Sequence, residues 1–312
     1  MSTPTTDLST MRPDRRPKGG AYWLFLVPGG VLLALIIGLP FVMNIYFSFT
    51  KWSGIGQPHW IGLHNYNELL HDDIFWMSFR NTLAMIVAMV LVPTLLGMFL
   101  AAVLFDSIGR RFNPRTSSVL RAAFYLPQVL PVVVAGIVWG WILQPDGALN
   151  ALLKAIGLNS LAHDWLGDPK TAMPTVMVMM IWVQIGYPVV VFMAALQRVD
   201  PELYEAAELD GAGWFRRFRA ITIPQIRAET FVVSLTCTIA AMKVFGPIFA
   251  LTRGGPDNAT NVPSYFSYYT FFKKLNVGYG SAISTVLTVL IIMVSVVFIR
   301  VQNASEKRDE DI

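Results

Sequence analysis

Long stretches without charge constrain this chain more than any other feature of its sequence. Five stretches of 24 to 32 residues contain no Asp, Glu, Lys or Arg, and a sixth of 23 residues contains only Lys243. An α-helix needs about 20 consecutive apolar residues to cross a bilayer, and it satisfies its backbone hydrogen bonds internally. Each stretch is therefore predicted to be a transmembrane helix. The predicted spans lie at about 21–49, 81–105, 122–144, 171–197, 230–252 and 275–300.

The overall composition agrees with a protein that lies in a bilayer. Of the 312 residues, 54% are hydrophobic and only 14% are charged, and the mean hydropathy is +0.52. An ordinary soluble domain is less apolar than this. The predicted fold class is all-α, a polytopic membrane protein with six transmembrane helices and one polar hairpin between the fourth and fifth. The single cysteine, Cys237, excludes an intramolecular disulfide framework.

Basic residues in the connecting segments predict the orientation of the chain. If the N-terminus is inside, sixteen Lys and Arg residues fall on the inner side and seven on the outer side. Because inner loops are enriched in basic residues, both termini and the hairpin are predicted to be cytoplasmic. These residues flank apolar runs, so the net charge of +4 does not indicate a nucleic-acid partner. The predicted domains are a disordered cytoplasmic tail at 1–18, the membrane domain at 19–300 and a cytoplasmic tail at 301–312.

Prolines lie within or at the ends of the predicted spans. In a helix bundle they produce kinks, and the carbonyl groups that a kink frees need other partners. Kinked helices suit a transporter, although proline is also commoner in membrane helices in general. The prolines are Pro28, Pro40, Pro93, Pro127, Pro131, Pro174, Pro188 and Pro247.

The polar hairpin at residues 200–225 carries clear helix boundary signals. Asp200 is suited to cap the first helix, and Pro201 is suited to its first position. Gly211 is predicted to end this helix in the left-handed conformation that side chains resist. A second short helix then runs from Trp214 until Pro224 breaks it.

The hairpin resembles a motif of known proteins. Glu205, Ala206 and Ala207, followed by Gly211 and Pro224, are similar to the EAA loop of permease subunits in binding-protein-dependent ABC importers. The similarity is specific because of the length of the motif and its place between two predicted spans. It implies that the first helix of the hairpin is a coupling helix, which docks in a groove of an ATP-hydrolysing subunit.

Three further segments extend the resemblance over residues 20 to 300, which correspond to the permease domain. Residues 60–70, 126–147 and 251–260 look like parts of carbohydrate-uptake permeases of the maltose and glycerol-phosphate type. The resemblance implies a non-catalytic subunit in a bacterial-type cell membrane that imports a sugar. The alternative solute for the same machinery is of the glycerol-phosphate type. The implied partners are a sister permease, two ATP-binding subunits, an extracytoplasmic sugar-binding protein and membrane lipid.

The resemblance also identifies candidate residues for ATPase coupling. They are Glu205, Ala206, Ala207, Asp210, Gly211 and Ala212.

Polar residues within the spans are candidates for the substrate path. Lys243 is an intramembrane charge, which marks a functional site by default, although it could instead bind a carbonyl freed by a kink. Gln184, Gly186 and Tyr187, midway along the fourth span, could line the pore or join helices to one another. Asn81, in the second span, has the same two interpretations.

Other function classes lack their characteristic residues. No Gly-Lys pair occurs, so the phosphate-binding loop of a nucleotide hydrolase is absent, and no cofactor is indicated. No predicted span contains Asp or Glu, which secondary transporters usually need. Neither His-Glu-x-x-His nor Gly-x-Ser-x-Gly occurs, and the four histidines lack the spacing of a metal site.

Overall fold

The computed structural model of the chain describes residues 21–108 and 114–310. The predicted tail at 1–18 and the basic residues Arg110 and Arg111 lie outside the described residues. The chain divides into two compact units, which meet in sequence between Tyr46 and Phe47.

The first unit is described from residue 21 and is helical. It contains α1 (Ala21–Leu33), a π-helical turn (Ala34–Gly38) and most of α2 (Leu39–Ser48). The most apolar 18-residue window of Phe25–Ser48 has a mean hydropathy of 2.4, and none of its residues is buried. A helix that is apolar all round and long enough to cross a bilayer is typical of a membrane span.

The second unit is a helical bundle with one small antiparallel hairpin, in which Thr50 pairs with Trp60. π-helical turns continue α4, α11 and α15 over Leu104–Ile108, Phe218–Thr222 and Tyr269–Lys273, and a 3-10 turn occupies Asn159–Leu161. The elements in chain order are β1 (Thr50–Lys51), β2 (His59–Trp60), α3 (His64–Leu70), α4 (Asp73–Val103), α5 (Pro114–Val129), α6 (Val132–Ile142), α7 (Ala148–Ala155), α8 (Ala172–Gln184), α9 (Gly186–Leu196), α10 (Pro201–Leu209), α11 (Trp214–Arg217), α12 (Ile223–Gln225), α13 (Arg227–Met242), α14 (Gly246–Leu251), α15 (Pro263–Tyr268) and α16 (Val277–Glu310).

Among the described residues, five helical segments are long and apolar enough to cross a membrane. A bent pair of helices makes a sixth if it forms a single span. The prediction of an all-α membrane protein is confirmed. The last helix, α16, continues into the predicted tail as far as Glu310. The five segments are Phe25–Ser48, Asp73–Asp106, Ala172–Leu196, Arg227–Leu251 and Val277–Ala304, and the bent pair is Ala122–Val129 with Val132–Ile142.

Two of the predicted spans are broken, and the breaks are close together. The third bends by 99° between α5 and α6, where Pro131 precedes the first residue of α6. The fifth breaks between Met242 and Gly246, just before Pro247. A Cβ atom on Gly246 would lie 2.9 Å from Val132 Cγ1, so the chain after one break contacts the chain after the other. Proline accounts for both breaks, because it lacks the N–H that a helix requires and its ring collides with the preceding turn.

The centre of the bundle is α4, which packs against α8, α9 and α13. A Cβ on Gly97 of α4 would lie 2.6 Å from Pro188 Cβ, so glycine permits the close approach to α9. Close packing through small residues is a main source of helix association in lipid, where water drives no apolar contact. One apolar core, which includes Phe192, Leu196 and Ile226, lies where α4, α9 and α13 approach the polar hairpin.

Candidate functional site

The first helix of the hairpin begins as the sequence predicts. The Asp200 carboxylate accepts a hydrogen bond from the Glu202 backbone N–H at 2.9 Å, and Pro201 occupies the first turn. The proline lacks an N–H that would otherwise need a partner, and the carboxylate satisfies one of the remaining free donors. These two residues fix where α10 starts.

The same helix ends in a complete Schellman motif. Gly211 has a φ of +72°, which confirms the predicted left-handed conformation. Its N–H donates to Glu208 O at 3.0 Å, and the Ala212 N–H donates to Ala207 O at 2.9 Å. A Cβ on Gly211 would meet nothing within 4 Å. The backbone conformation, and not a lack of space, therefore requires glycine here.

The second arm of the hairpin packs against α4 through aromatic rings. The rings of Trp214 and Phe218 stack with centroids 5.2 Å apart, and Trp214 makes an edge contact with Phe99 of α4 at 5.8 Å. Stacked and edge-to-face pairs of this kind are favourable geometries. The helix breaks at Ile226, two residues after Pro224.

A cavity of about 590 Å³ lies between the hairpin and the ends of α4 and α9. Its walls are mainly apolar and aromatic, and Tyr204 and Thr222 join its two sides through a hydroxyl hydrogen bond of 3.1 Å. Three carboxylates and one guanidinium also line it. The lining includes Phe105, Asp106, Met193, Tyr204, Glu205, Glu208, Trp214, Arg217, Phe218 and Thr222.

The outer surface of the hairpin is exposed. Ala207 and Ala212 are half-buried, whereas the other four candidate coupling residues, Glu205, Ala206, Asp210 and Gly211, are exposed. Leu209 is 90% exposed and Phe215 is 69% exposed, on the two arms of the hairpin. The hairpin therefore presents two large apolar side chains on an otherwise polar segment.

Gln184 and Tyr187 both bond to α13. The buried Gln184 amide donates to Cys237 Sγ at 3.3 Å, and the Tyr187 hydroxyl donates to Thr236 Oγ1 at 3.4 Å. These bonds tie the fourth span to the fifth. They agree with the interpretation that polar side chains here join helices.

Gly186 permits close approach between the third and fourth spans. A Cβ at this position would lie 2.4 Å from Phe124 O and 2.9 Å from Tyr125 Cα. Both neighbours are backbone atoms of α5, which cannot rotate away as a flexible side chain would. The buried Gly186 therefore lies against a helix backbone.

Asn81 holds the turn that connects α14 to α15. Its amide donates to the carbonyl groups of Ala259 and Asn261, each at 2.9 Å. The turn contains residues in the left-handed region, among them Arg253 and Asn258. Because both amide hydrogens are used, Asn81 stabilises this turn from the second span.

Replacing Asn81 by leucine is expected to lower the stability of the chain by about 1–3 kcal/mol, because one buried and one partly buried carbonyl group lose their donor. Thermal unfolding of the detergent-solubilised protein measures this loss. The matched control is Asn67→Leu at an exposed position of α3, which should leave the unfolding temperature unchanged. Normal stability in Asn81→Leu, together with weakened uptake, would favour the substrate-path interpretation instead.

Lys243 lies at the break in the fifth span. Its backbone N–H ends α13 by donating to Ile239 O and Ala240 O, and its side chain is exposed. Within the described residues, its ammonium makes no hydrogen bond to a freed carbonyl. Gln128 lies just before the break in the third span, and its buried Oε1 has no hydrogen-bond partner among the described residues. Gln128 is a polar residue within the third predicted span, a weaker candidate of the same kind as Asn81, and the bend places it beside a break.

The apolar helical segments define the class of this protein, a multi-pass helical membrane protein. Residues 94–309 match the family described as "Binding-protein-dependent transport system inner membrane component". The chain belongs to this family.

Similar proteins agree with this assignment. The chain is 36% identical to a probable ABC transporter permease protein of Pyrococcus horikoshii, over 91% of this chain and 96% of the relative. It is 33% identical to the diacetylchitobiose uptake system permease protein NgcF of Streptomyces coelicolor, over 95% of this chain and 90% of the relative. Its fold is similar to a chain of a bacterial ABC transporter involved in the import of alginate, with a TM-score of 0.76 at 21% identity, over 91% and 96% of the two chains.

Proposed function

We propose that this chain is the transmembrane permease subunit of an ATP-driven ABC importer that takes up a mono-, di- or oligosaccharide. The observation that carries the proposal is the exposed hairpin, with its Schellman motif at Gly211, in a chain of the binding-protein-dependent transport family. The solutes named for the diacetylchitobiose relative and the alginate transporter support a carbohydrate. An extracytoplasmic binding protein delivers the sugar.

In this proposal, the hairpin docks on an ATP-binding subunit in the cytoplasm. Leu209 and Phe215 provide apolar contact area that an ATPase groove covers, and the exposed Glu205 and Asp210 provide charged contacts at its rim. The excess of basic residues on the same side of the membrane supports the cytoplasmic placement of the hairpin and both termini. The six coupling residues at 205–207 and 210–212 transmit ATP-dependent motion.

The two helix breaks form part of the substrate path. A broken membrane helix offers free backbone groups to a solute near the middle of the bilayer, and the binding sites of transporters commonly use such groups. Lys243 is exposed at one break and Gln128 lies beside the other. Both can hydrogen-bond sugar hydroxyl groups, and a sister permease completes the path on the facing side. Asn81, Gln184, Gly186 and Tyr187 support the helices that carry these groups.

Transport follows alternating access. Two ATP-binding subunits have different affinities for the inward-open and outward-open states, and the hairpins carry that preference to the paired permeases. Hydrolysis resets the complex. The permease itself supplies no catalytic residue.

The alternative solute is of the glycerol-phosphate type. The observation that favours it is the ammonium of Lys243, because a cation at a helix break attracts an anionic phosphodiester more strongly than a neutral sugar. The machinery would otherwise be the same.

The experiment that tests the proposal is purification of the complex through a C-terminal tag after mild solubilisation of native membranes. We expect an ATP-binding subunit, a second six-span permease and a binding protein to co-purify. Thermal shifts of that binding protein against a panel of sugars and glycerol phosphodiesters then distinguish the two solute classes. Recovery of the chain alone, in a form that moves solute without ATP, would overturn the proposal.

A further inference from the structure

Arg217 joins three parts of the structure. It lies at the end of α11, in the second arm of the hairpin, and forms an ion pair with Glu208 in the first arm. Its other terminal nitrogen, Nη2, lies 3.6 Å from Oδ2 of Asp106, at the end of the second span. One guanidinium therefore contacts both arms of the hairpin and a transmembrane helix that is far from them in sequence.

These ion pairs are better protected from water than an ordinary surface ion pair. The side chain of Arg217 is 12% exposed, that of Asp106 is 27% exposed and that of Glu208 is 38% exposed. The fork of guanidinium N–H groups suits a residue that serves two carboxylates at once, and a lysine ammonium would not replace it fully. By contrast, Arg198 pairs with Glu229 at the base of the hairpin with 70% of its side chain exposed. Screening by water weakens such a pair.

The cavity beneath the hairpin makes the ion pairs important for passing movement from the hairpin to the membrane helices. Asp106, Glu208 and Arg217 all line this space of about 590 Å³. Where a cavity separates two elements, packing transmits displacement only where atoms still touch, and here Trp214 touches Phe99 of α4 at the edge of the cavity region. The chain itself connects the hairpin only to the fourth and fifth spans. The ion pair between Arg217 and Asp106 adds a polar connection from the hairpin to the second span.

Local backbone irregularities place the charged groups. Asp106 lies within the π-helical turn Leu104–Ile108 that ends the second span, and Arg217 directly precedes the π-helical turn Phe218–Thr222. A π-helical turn inserts a residue and so rotates the side chains beside it, which is common at functional sites. Both irregularities therefore flank the contact between hairpin and span.

We propose that Arg217 is a positioning residue that ties both arms of the hairpin to the second span, so that movement of the hairpin displaces α4 directly. This inference rests on the proposed function as an ATP-driven permease subunit. It adds a route of transmission that the six coupling residues at 205–207 and 210–212 do not include. Asp106 and Glu208 are its two anchors.

The test uses the complete transporter in proteoliposomes and measures solute uptake per ATP hydrolysed. Arg217→Gln should lower this ratio about tenfold, within the range typical of coupling between sites, with all subunits still assembled. Arg217→Lys should restore part of the ratio. The double variant Asp106→Asn with Arg217→Gln should couple no worse than Arg217→Gln alone, because both substitutions break the same contact. A purely structural role would lower assembly or stability and leave the ratio unchanged.

The matched control is Arg198→Gln, which removes an ion pair that does not reach the second span. Its ratio should stay near that of the wild type. If Arg217→Gln prevents insertion into the membrane, uptake per ATP hydrolysed is measured for Asp106→Asn instead. That variant keeps the ion pair between Arg217 and Glu208. A wild-type ratio in Arg217→Gln or Asp106→Asn, or an equal loss in Arg198→Gln, would overturn the role of Arg217. Failure of the proposed function is distinguishable, since the wild-type complex would then show no ATP-dependent uptake.

Discussion

Replacing Gly211 by proline is expected to lower ATP-driven uptake at least about tenfold while the chain stays folded and inserted. Proline fixes φ at about −65°, whereas Gly211 has a φ of +72°. The substitution also removes the N–H that donates to Glu208 O. The turn between α10 and α11 must therefore rearrange, and the two arms lose their relative position. The membrane helices contain neither of these contacts and should be unaffected.

Two variants at and near this turn serve as controls for the Gly211→Pro experiment. Asparagine tolerates the left-handed region, so Gly211→Asn should retain most uptake. Gly213 has a φ of −64°, and a Cβ there would meet nothing within 4 Å, so Gly213→Ala should behave as wild type. Uptake and ATP hydrolysis are measured on the same proteoliposomes, with assembly checked by subunit recovery.

Glu205→Ala should also lower ATP-driven uptake while ATP hydrolysis continues. This substitution does not change the backbone. Glu205 is exposed on α10 and lines the open cavity beneath the hairpin, so its truncation removes no buried packing. Glu202→Ala, on the same helix and also exposed, is the matched control. If both Gly211→Pro and Glu205→Ala supported normal uptake, the hairpin would not transmit motion from the ATPase.

Gly186→Ala is expected to reduce the stability of the chain substantially. The added Cβ would lie 2.4 Å from Phe124 O and 2.9 Å from Tyr125 Cα, so the third and fourth spans must separate. Overpacking of this kind costs about 1–3 kcal/mol, and more where the neighbours are backbone atoms that cannot turn aside. The unfolding temperature in detergent should fall, along with the yield of inserted protein.

Gly30 provides the comparison for Gly186, because a Cβ there would meet nothing within 4 Å. Gly30→Ala should leave the unfolding temperature of the isolated chain unchanged. An equal unfolding temperature for Gly186→Ala and wild type would show that the close contact with α5 is absent in the folded protein.

The hairpin could be predicted from sequence because its signals are local. Asp200 and Pro201 define the start of α10 within two residues of chain, and Gly211 defines its end through its own backbone conformation. The presence of long apolar helices could likewise be predicted, because bilayer thickness sets a length that charge-free runs reveal directly. Both kinds of signal depend on neighbours in sequence.

Contacts between distant segments were not predictable from these signals. Proline patterns suggested kinks, but they could not show that the third span bends by 99° or that the two breaks adjoin. Asn81 is a polar residue within a predicted span, as a pore residue would be. Its hydrogen-bond partners nevertheless lie about 180 residues away, in the turn at Ala259 and Asn261. Arg217 contributed only to the count of basic residues. Its partner Asp106 lies at the end of another span, and no single-sequence pattern connects the two.

This chain is expected to carry solute only when a partner subunit hydrolyses ATP. The most direct measurement is uptake of radiolabelled sugar into proteoliposomes that contain the purified complex, with its binding protein outside and ATP or a non-hydrolysable analogue inside. We expect the sugar to accumulate with ATP, and not to accumulate with the analogue or without the binding protein. Equal uptake in all three conditions, or uptake driven by an ion gradient alone, would contradict it.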